Sequence, residues 1–280
     1  MNLSLCTITF RHHLISIPEL TTWAKANGFQ AIELWGPHAQ RLAPRTDLNG
    51  EWLRNQGLAI SMLSDYLPLS AQSDELRQKT IELCQLAQRW QTKKLRTFAG
   101  NRASSEMESE NRRAIFAGLR EACTIAADLG VRLLVETHPS TLADTVAATM
   151  RLIEEVDSPN LRINFDALHV WEGGDDPLEA IQVMKPFVDH YHLKNIRGRE
   201  YLSVFAPENV YSANGNRVGM TPLFQGAFDY MPLISALSRE RDFDASLEWF
   251  GGDCFEILRD DCARLSRLAD PNSGLLRKTA

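Results

Sequence analysis

The sequence predicts a (β/α)8 TIM barrel, a closed α/β fold, and three observations predict it. Short apolar runs rich in branched residues alternate with helix-like segments, as buried parallel strands separated by crossover helices should. Eight such runs can be counted in one chain of 280 residues. The last four end in Glu136, Asp166, His192 and Glu248 at matching depth, and strand ends of a barrel converge on one axis.

The first strand is placed at Leu3–Thr9. Ser16-Ile17-Pro18-Glu19 then reads as a capping box with Pro in the first helical turn. Asn27-Gly28 stops that helix, because Gly supplies the left-handed residue that ends one. The second strand is Ala31–Leu34, and Gly57 leads into the third, Leu58–Leu63. The fourth is Lys94–Phe98, and Asp128-Leu129-Gly130 introduces the fifth, Val131–Val135. Thr141-Leu142-Ala143-Asp144 has the pattern of a second capping segment before the sixth strand, Leu161–Phe165. Asp176-Pro177 caps a further helix ahead of the seventh strand, His190–Leu193, and the eighth is Ala245–Trp249. An open doubly wound sheet fits less well, since no GxGxxG follows the first strand and no Walker sequence occurs.

No composition shift divides the chain, so residues 1–280 are expected to form one domain. The long stretch at about 198–228, between the seventh and eighth strands, carries Tyr201, Phe205, Tyr211 and Phe224. That aromatic content suits a folded lid or pocket wall, or equally an excursion with a small core of its own. Pro271–Ala280 is expected to fray or to serve as an interaction tail.

Charge and cysteine content narrow the function. Lys plus Arg is 30 and Asp plus Glu is 36, a formal charge of −6 that does not favour a binder tracking nucleic-acid phosphates. No apolar run approaches the roughly 18 residues of a membrane span, and Met1–Phe10 lacks the basic start of a signal peptide. Five cysteines without CxxC spacing suit reduced thiols in the cytoplasm. The expected partner is a small molecule, with no nucleic acid and no membrane, and self-association into a homo-oligomer is compatible.

Three carboxylates around one point repel in a low-dielectric pocket, and a divalent cation removes the repulsion. Glu136, Asp166, Glu248 and the imidazole of His192 suit Mn²⁺ or Mg²⁺, with Co²⁺ and Zn²⁺ also compatible. His169, three residues past Asp166, is the leading candidate for proton transfer, because imidazole titrates near neutrality. Lys194 shares a strand face with His192, where it would stabilise an oxyanion or pair with a ligand carboxylate. His138 stands two residues after Glu136, and catalytic and structural readings of it weigh the same. Arg96 at the fourth strand suits a substrate carboxylate or an ordinary ion pair, and Tyr66 after the third suits a hydrogen bond to substrate or simple packing.

Longer stretches carry a resemblance. Ser4–His12, Ile32–Gly36, Arg96–Gly100, Glu136–Pro139, His190–Asn195, Asn216-Arg217 and Ser246–Phe250 resemble the bacterial 3-dehydroshikimate dehydratases of petrobactin-type siderophore pathways. The four strand-end ligands resemble the metal set of the wider xylose isomerase-like barrels. The resemblance covers nearly the whole chain and implies a hydro-lyase. It would convert 3-dehydroshikimate to 3,4-dihydroxybenzoate (protocatechuate) and water through a metal-bound enediolate. His169 would be the base, with Lys194 and His138 stabilising or orienting the reacting oxygens. Arg96, Tyr66, Arg217 and Glu33 would hold the substrate. A sugar isomerase or epimerase on the same scaffold is the alternative, separated from the first reading by Arg96, Tyr66 and the aromatic loop. An apurinic-site endonuclease fits less well, because Tyr66 and Arg96 stand where extra zinc-binding His residues would be expected.

Overall fold

Runs of apolar residues buried on both faces become the staves of the barrel. In the computed structural model, which describes residues 1–71, 73–239 and 243–269, the staves are as follows. They are β1 Asn2–Cys6, β2 Ala31–Trp35, β3 Ala59–Ser64, β4 Lys94–Thr97, β5 Arg132–Glu136, β6 Leu161–Asp166, β7 Val188–Leu193 and β8 Asp244–Leu247. Each pairs in parallel with its neighbours, and β1 pairs with both β2 and β8 to close the ring. Leu5, Ile32, Leu133, Ile163, Phe165 and Leu193 are wholly buried in one core with the surrounding helices. Burying such side chains contributes about 1.5–3 kcal/mol each before the entropy of ordering the chain is counted.

Helix boundaries follow the local chemistry. Ser16 and Glu19 exchange capping hydrogen bonds, with Ser16 N donating to Glu19 Oε2 at 2.9 Å. Asp176 Oδ1 accepts from the amides of Leu178 and Glu179. Gly28 adopts φ +87° just past its helix, which a side-chain-bearing residue would resist.

Three expectations are corrected. The first strand stops at Cys6, and Thr7–Phe10 winds into a 3-10 turn instead. The threonine hydroxyls there serve neighbouring chain ends, Thr7 Oγ1 accepting from Trp35 N at 2.9 Å and Thr9 Oγ1 from Trp249 N at 3.2 Å. The cap of the helix Val146–Val156 is Thr145, not Thr141, because Asp144 Oδ2 accepts from Ser104 N at 2.7 Å and pins another loop. The eighth strand ends at Leu247, so Glu248 and Trp249 lie beyond it, with Glu248 N donating to Leu193 O at 3.1 Å.

The long stretch after β7 is folded. Asn195–Ile196 pairs antiparallel with Met220–Thr221, so the excursion returns on itself. Between them lie a 3-10 helix, Arg199–Phe205, and a short helix, Pro207–Val210. Val204, Phe205 and Val210 form a small core with Cys6, Ile8, Leu168, Ile196 and Phe250. The core is shared with residues at the barrel mouth, and Phe205, Pro207, Val210 and Tyr211 of the same segment line the cavity there. All five cysteines are buried and unpaired, and no helix among the described residues is long and apolar enough to cross a membrane. The predicted tail 271–280 lies outside the described residues.

Candidate active site

Strand register brings the expected ligands together. Asp166 and Ser246 both stand opposite His192, while Glu136 stands opposite Asn164. Glu248 follows Ser246 by two residues and closes the group. Glu136, Asp166, His192 and Glu248 are all buried, and each offers one donor atom within 4.8 Å of the others. His192 Nδ1 is 3.3 Å from Glu136 Oε1, 3.6 Å from Glu248 Oε2 and 3.9 Å from Asp166 Oδ2.

Two fixed cations border the group. Lys194 Nζ sits 2.6 Å from Asp166 Oδ2 and 2.7 Å from Glu248 Oε2. Arg96 Nε lies 3.0 Å from Glu136 Oε2, with both side chains about 3% exposed, so this is no surface ion pair. Burial opposes the charge on Lys194, but Asp166, Glu248 and Glu136 together hold its ammonium well above the ordinary lysine value. Burial likewise opposes ionisation of Glu136, and the Arg96 guanidinium beside it holds it well below the carboxylate range.

Three carboxylates thus face two cations, and the buried His192 Nδ1 makes no hydrogen bond. An uncompensated charge and an unpartnered ring nitrogen are costly in a dry site. A divalent cation satisfies both, so the donor set fits one. Oxygen-rich donors with one imidazole suit Mn²⁺ or Mg²⁺ and also accept zinc.

The helix Ala167–Glu172 begins where β6 ends. Asp166 caps it by accepting from His169 N at 3.1 Å through Oδ1, which leaves Oδ2 for the cluster. His169 stands in the first turn, with Glu172 one turn on along the same face. His169 Nδ1 lies 2.7 Å from Glu172 Oε2, so a neutral ring carries its proton there. Its Nε2 is buried without a hydrogen-bond partner, 3.8 Å from Asp166 Oδ2. The ring of His138 packs between Phe98 at 4.3 Å and His169 at 4.4 Å, and its Nδ1 donates to the Pro139 carbonyl at 2.7 Å. Burial, with His169 alongside, pushes His138 down to about 3, so it is neutral at pH 7 and offers an acceptor nitrogen.

A cavity of about 40 Å³ lies above the cluster, lined by Arg96, Glu136, His138, His169, Lys194 and Glu248 among others. Tyr66, Phe98, Phe205, Val210, Tyr211 and Phe250 also line it. Tyr66 and Tyr211 bring their hydroxyls 2.5 Å apart, and Tyr211 stacks on Trp35 with ring centres 6.1 Å apart. Arg96 lies over the rings of Tyr66 and Phe98 at 5.3 and 5.0 Å, and its Nη1 is buried without a hydrogen bond. A vestibule of about 420 Å³ shares Phe98, His138, Phe205 and Pro207 with the cavity. A larger cavity, about 790 Å³ between the helices Pro177–Met184 and Tyr230–Leu237, holds none of the candidate residues.

Two of the expected substrate ligands are elsewhere. Glu33 is wholly buried in β2, two residues short of the strand end and one layer below the mouth. Its carboxylate accepts from His192 Nε2 at 2.8 Å and from the Ser64 hydroxyl, and it does not line the cavity. Arg217 binds main-chain carbonyls of its own loop, those of Asn209, Val210, Ser212 and Asn216, and staples the cover instead of lining the cavity. Sequence reasoning assigned no role to Glu172, although His-x-x-Glu spacing on a helix was a usable signal. Phe98 and Phe250, inside stretches already singled out, also line the cavity.

Comparison with known proteins agrees with this architecture. The xylose isomerase-like TIM barrel family matches residues 21–268. The chain is 45% identical over 267 residues to the 3-dehydroshikimate dehydratase of Bacillus anthracis, covering 92% of this chain and 94% of that one. A crystal structure of the probable 3-DHS dehydratase AsbF, involved in petrobactin synthesis in Bacillus anthracis, superposes with a TM-score of 0.91 at 44% identity. That alignment covers 95% of this chain and 99% of AsbF. An inosose dehydratase of Geobacillus kaustophilus is 28% identical over 121 residues, 43% of this chain and 39% of its own. The chain belongs to the xylose isomerase-like TIM barrel family.

Proposed function

We propose that this chain is a divalent-metal-dependent 3-dehydroshikimate dehydratase, a hydro-lyase that forms 3,4-dihydroxybenzoate and water. One observation carries the reading. Near full-length identity to the Bacillus anthracis dehydratase coincides with a site holding an unpartnered imidazole nitrogen 3.8 Å from an acidic ligand cluster. Petrobactin-type siderophore synthesis is the destination that the relative's name supports.

Glu136, Asp166, His192 and Glu248 would hold the cation. A bound cation there would polarise a ketone and its neighbouring hydroxyl and offset the negative charge that develops on them. His169 Nε2 would take the proton from the hydroxyl-bearing carbon beside the ketone, its orientation fixed by Glu172. The hydroxyl on the next ring carbon then leaves and takes that proton from His169, so one water departs. A ring proton shift completes the aromatic product. Neutral His138 would accept a hydrogen bond from a substrate hydroxyl through Nε2, which suits orientation and not charge stabilisation. Lys194 pairs with both Asp166 and Glu248 and holds them in place. Arg96 Nη1 and the Tyr66 hydroxyl remain as donors for the substrate carboxylate.

A 40 Å³ cavity takes a few waters and excludes a six-membered ring acid. Admission of substrate therefore requires the cover carrying Phe205, Val210 and Tyr211 to shift, opening the cavity toward the vestibule.

The test is incubation of the protein plus Mn²⁺ with 3-dehydroshikimate, and in parallel with ketohexoses, with products identified by chromatography and mass. Stoichiometric 3,4-dihydroxybenzoate from the first, and unchanged sugars, is the expected result. Epimerised or isomerised sugars with untouched 3-dehydroshikimate would replace this reading with the isomerase alternative.

A further inference from the structure

The geometry points to Glu33 as the positioning residue that decides which nitrogen of His192 faces the ligand cluster. The inference rests on the proposed metal reading of Glu136, Asp166, His192 and Glu248.

A neutral imidazole has one N–H and one lone pair, and only the lone pair can ligate. His192 Nε2 lies 2.8 Å from Glu33 Oε2, on the side of the ring away from the cluster. An ionised carboxylate only accepts, so Nε2 carries the proton. Nδ1 is left with its lone pair, buried, unpartnered and within 3.9 Å of all three ligand carboxylates. The proton location is thus set by a residue that does not line the substrate cavity and meets the cluster only at His192 Nε2.

Glu33 is itself held. The Ser64 hydroxyl donates to its Oε1. His190 Nε2 stands 3.5 Å from its Oε2 and 2.7 Å from Ser246 Oγ. Glu33, Ser64, His190, His192 and Ser246 are all 0% exposed, so solvent reaches none of them to take over the proton. Carboxylates hydrogen-bonded behind a ligating histidine fix its orientation and raise its basicity.

Glu33, His190 and His192 also offer donor atoms within 4.8 Å of one another, which by itself would suit a second cation. The 2.8 Å contact argues for a shared proton in that space, because a cation there would need the Nε2 lone pair.

The direct test uses Zn²⁺ as probe. Chelator competition measures the affinity and stoichiometry of wild type, Glu33→Gln and Glu33→Asp, and ¹⁵N NMR of the zinc-loaded wild type reads the ring of His192. The amide of Glu33→Gln can donate to Nε2, which moves the ring proton to Nδ1 and aims it at the cluster. We expect one equivalent of zinc in the wild type, with Nδ1 coordinated and Nε2 protonated. Glu33→Gln should bind roughly 10–100-fold more weakly with an unchanged circular dichroism spectrum. Glu33→Asp, which keeps the acceptor, should recover part of the loss. Equal affinity in a folded Glu33→Gln, coordination through Nε2, or a second equivalent of zinc would each overturn the inference. If Glu33→Gln fails to fold, the wild-type NMR spectrum decides alone. A wild type that binds no zinc at all overturns the metal reading itself, which distinguishes that failure from the failure of this one.

Discussion

On the floor of the site, Glu136, Asp166, His192 and Glu248 come from four neighbouring strands or the residue just past one. Buried charge partners at 2.6–3.0 Å fix the carboxylates. In the cover, residues 198–228 are held by contacts that water could replace. Arg11 Nε donates to Val210 O at 2.6 Å, Arg217 ties the loop to itself, and Tyr66 meets Tyr211 at a half-exposed edge. The small core under Phe205 and Val210 anchors the segment. The difference teaches where each kind of failure should appear. Floor residues have no alternative partner, so changing one removes chemistry. Cover residues exchange protein contacts for water at low net free energy, so changing one alters access.

The largest effect should come from His169→Ala at the border of the floor. Turnover should fall roughly 10²–10⁴-fold, as for loss of a general base, while metal content stays at the wild-type level. Metal analysis alongside kcat makes the distinction. Loss of metal together with turnover would move His169 into the ligand set and break the division between base and floor.

A smaller effect is expected in the cover. Tyr211→Phe removes the phenol that meets Tyr66 and leaves the stack on Trp35. A hydrogen bond of about 1 kcal/mol corresponds to roughly a fivefold change in KM, with kcat nearly unchanged. A collapse of kcat instead would assign Tyr211 to the chemistry and blur the comparison.

The smallest effect concerns how the cover is tethered after its return. Asp261, on the helix Cys254–Ala269, accepts from Leu223 N at 2.9 Å. Burial raises its carboxyl from 3.8 to about 6. The folded chain therefore holds this proton more tightly than the unfolded chain. That contribution to stability is fully present below about pH 4 and is lost as pH rises through 6. Asp261→Asn should abolish this dependence, so its melting temperature should gain on the wild type by a few degrees between pH 4 and pH 7. Melting curves across that range with a constant difference would contradict the raised carboxyl.

The floor was legible in the sequence because its signal is one-dimensional. A polar residue ending an apolar strand-length run marks a strand end, and four in succession mark a convergence. Glu33 was misassigned because its partner, His192, lies 159 residues away, and only the closed ring shows that Glu33 sits beneath it. Arg217 was misassigned because loop carbonyls obey no periodicity. Thr7–Thr9 reads as strand from its branched residues, yet it lies in a 3-10 turn where the hydroxyls of Thr7 and Thr9 accept from Trp35 and Trp249. Glu172 was within reach, since its spacing from His169 follows once Asp166 is recognised as a helix cap.

The central claim is that the floor holds a cation on which dehydration depends. Stripping the protein with chelator and following 3,4-dihydroxybenzoate formation by ultraviolet absorbance, before and after addition of Mn²⁺, tests it most directly. The account predicts no turnover in the stripped, folded protein and recovery with one equivalent of Mn²⁺. Undiminished turnover in metal-free protein would contradict it.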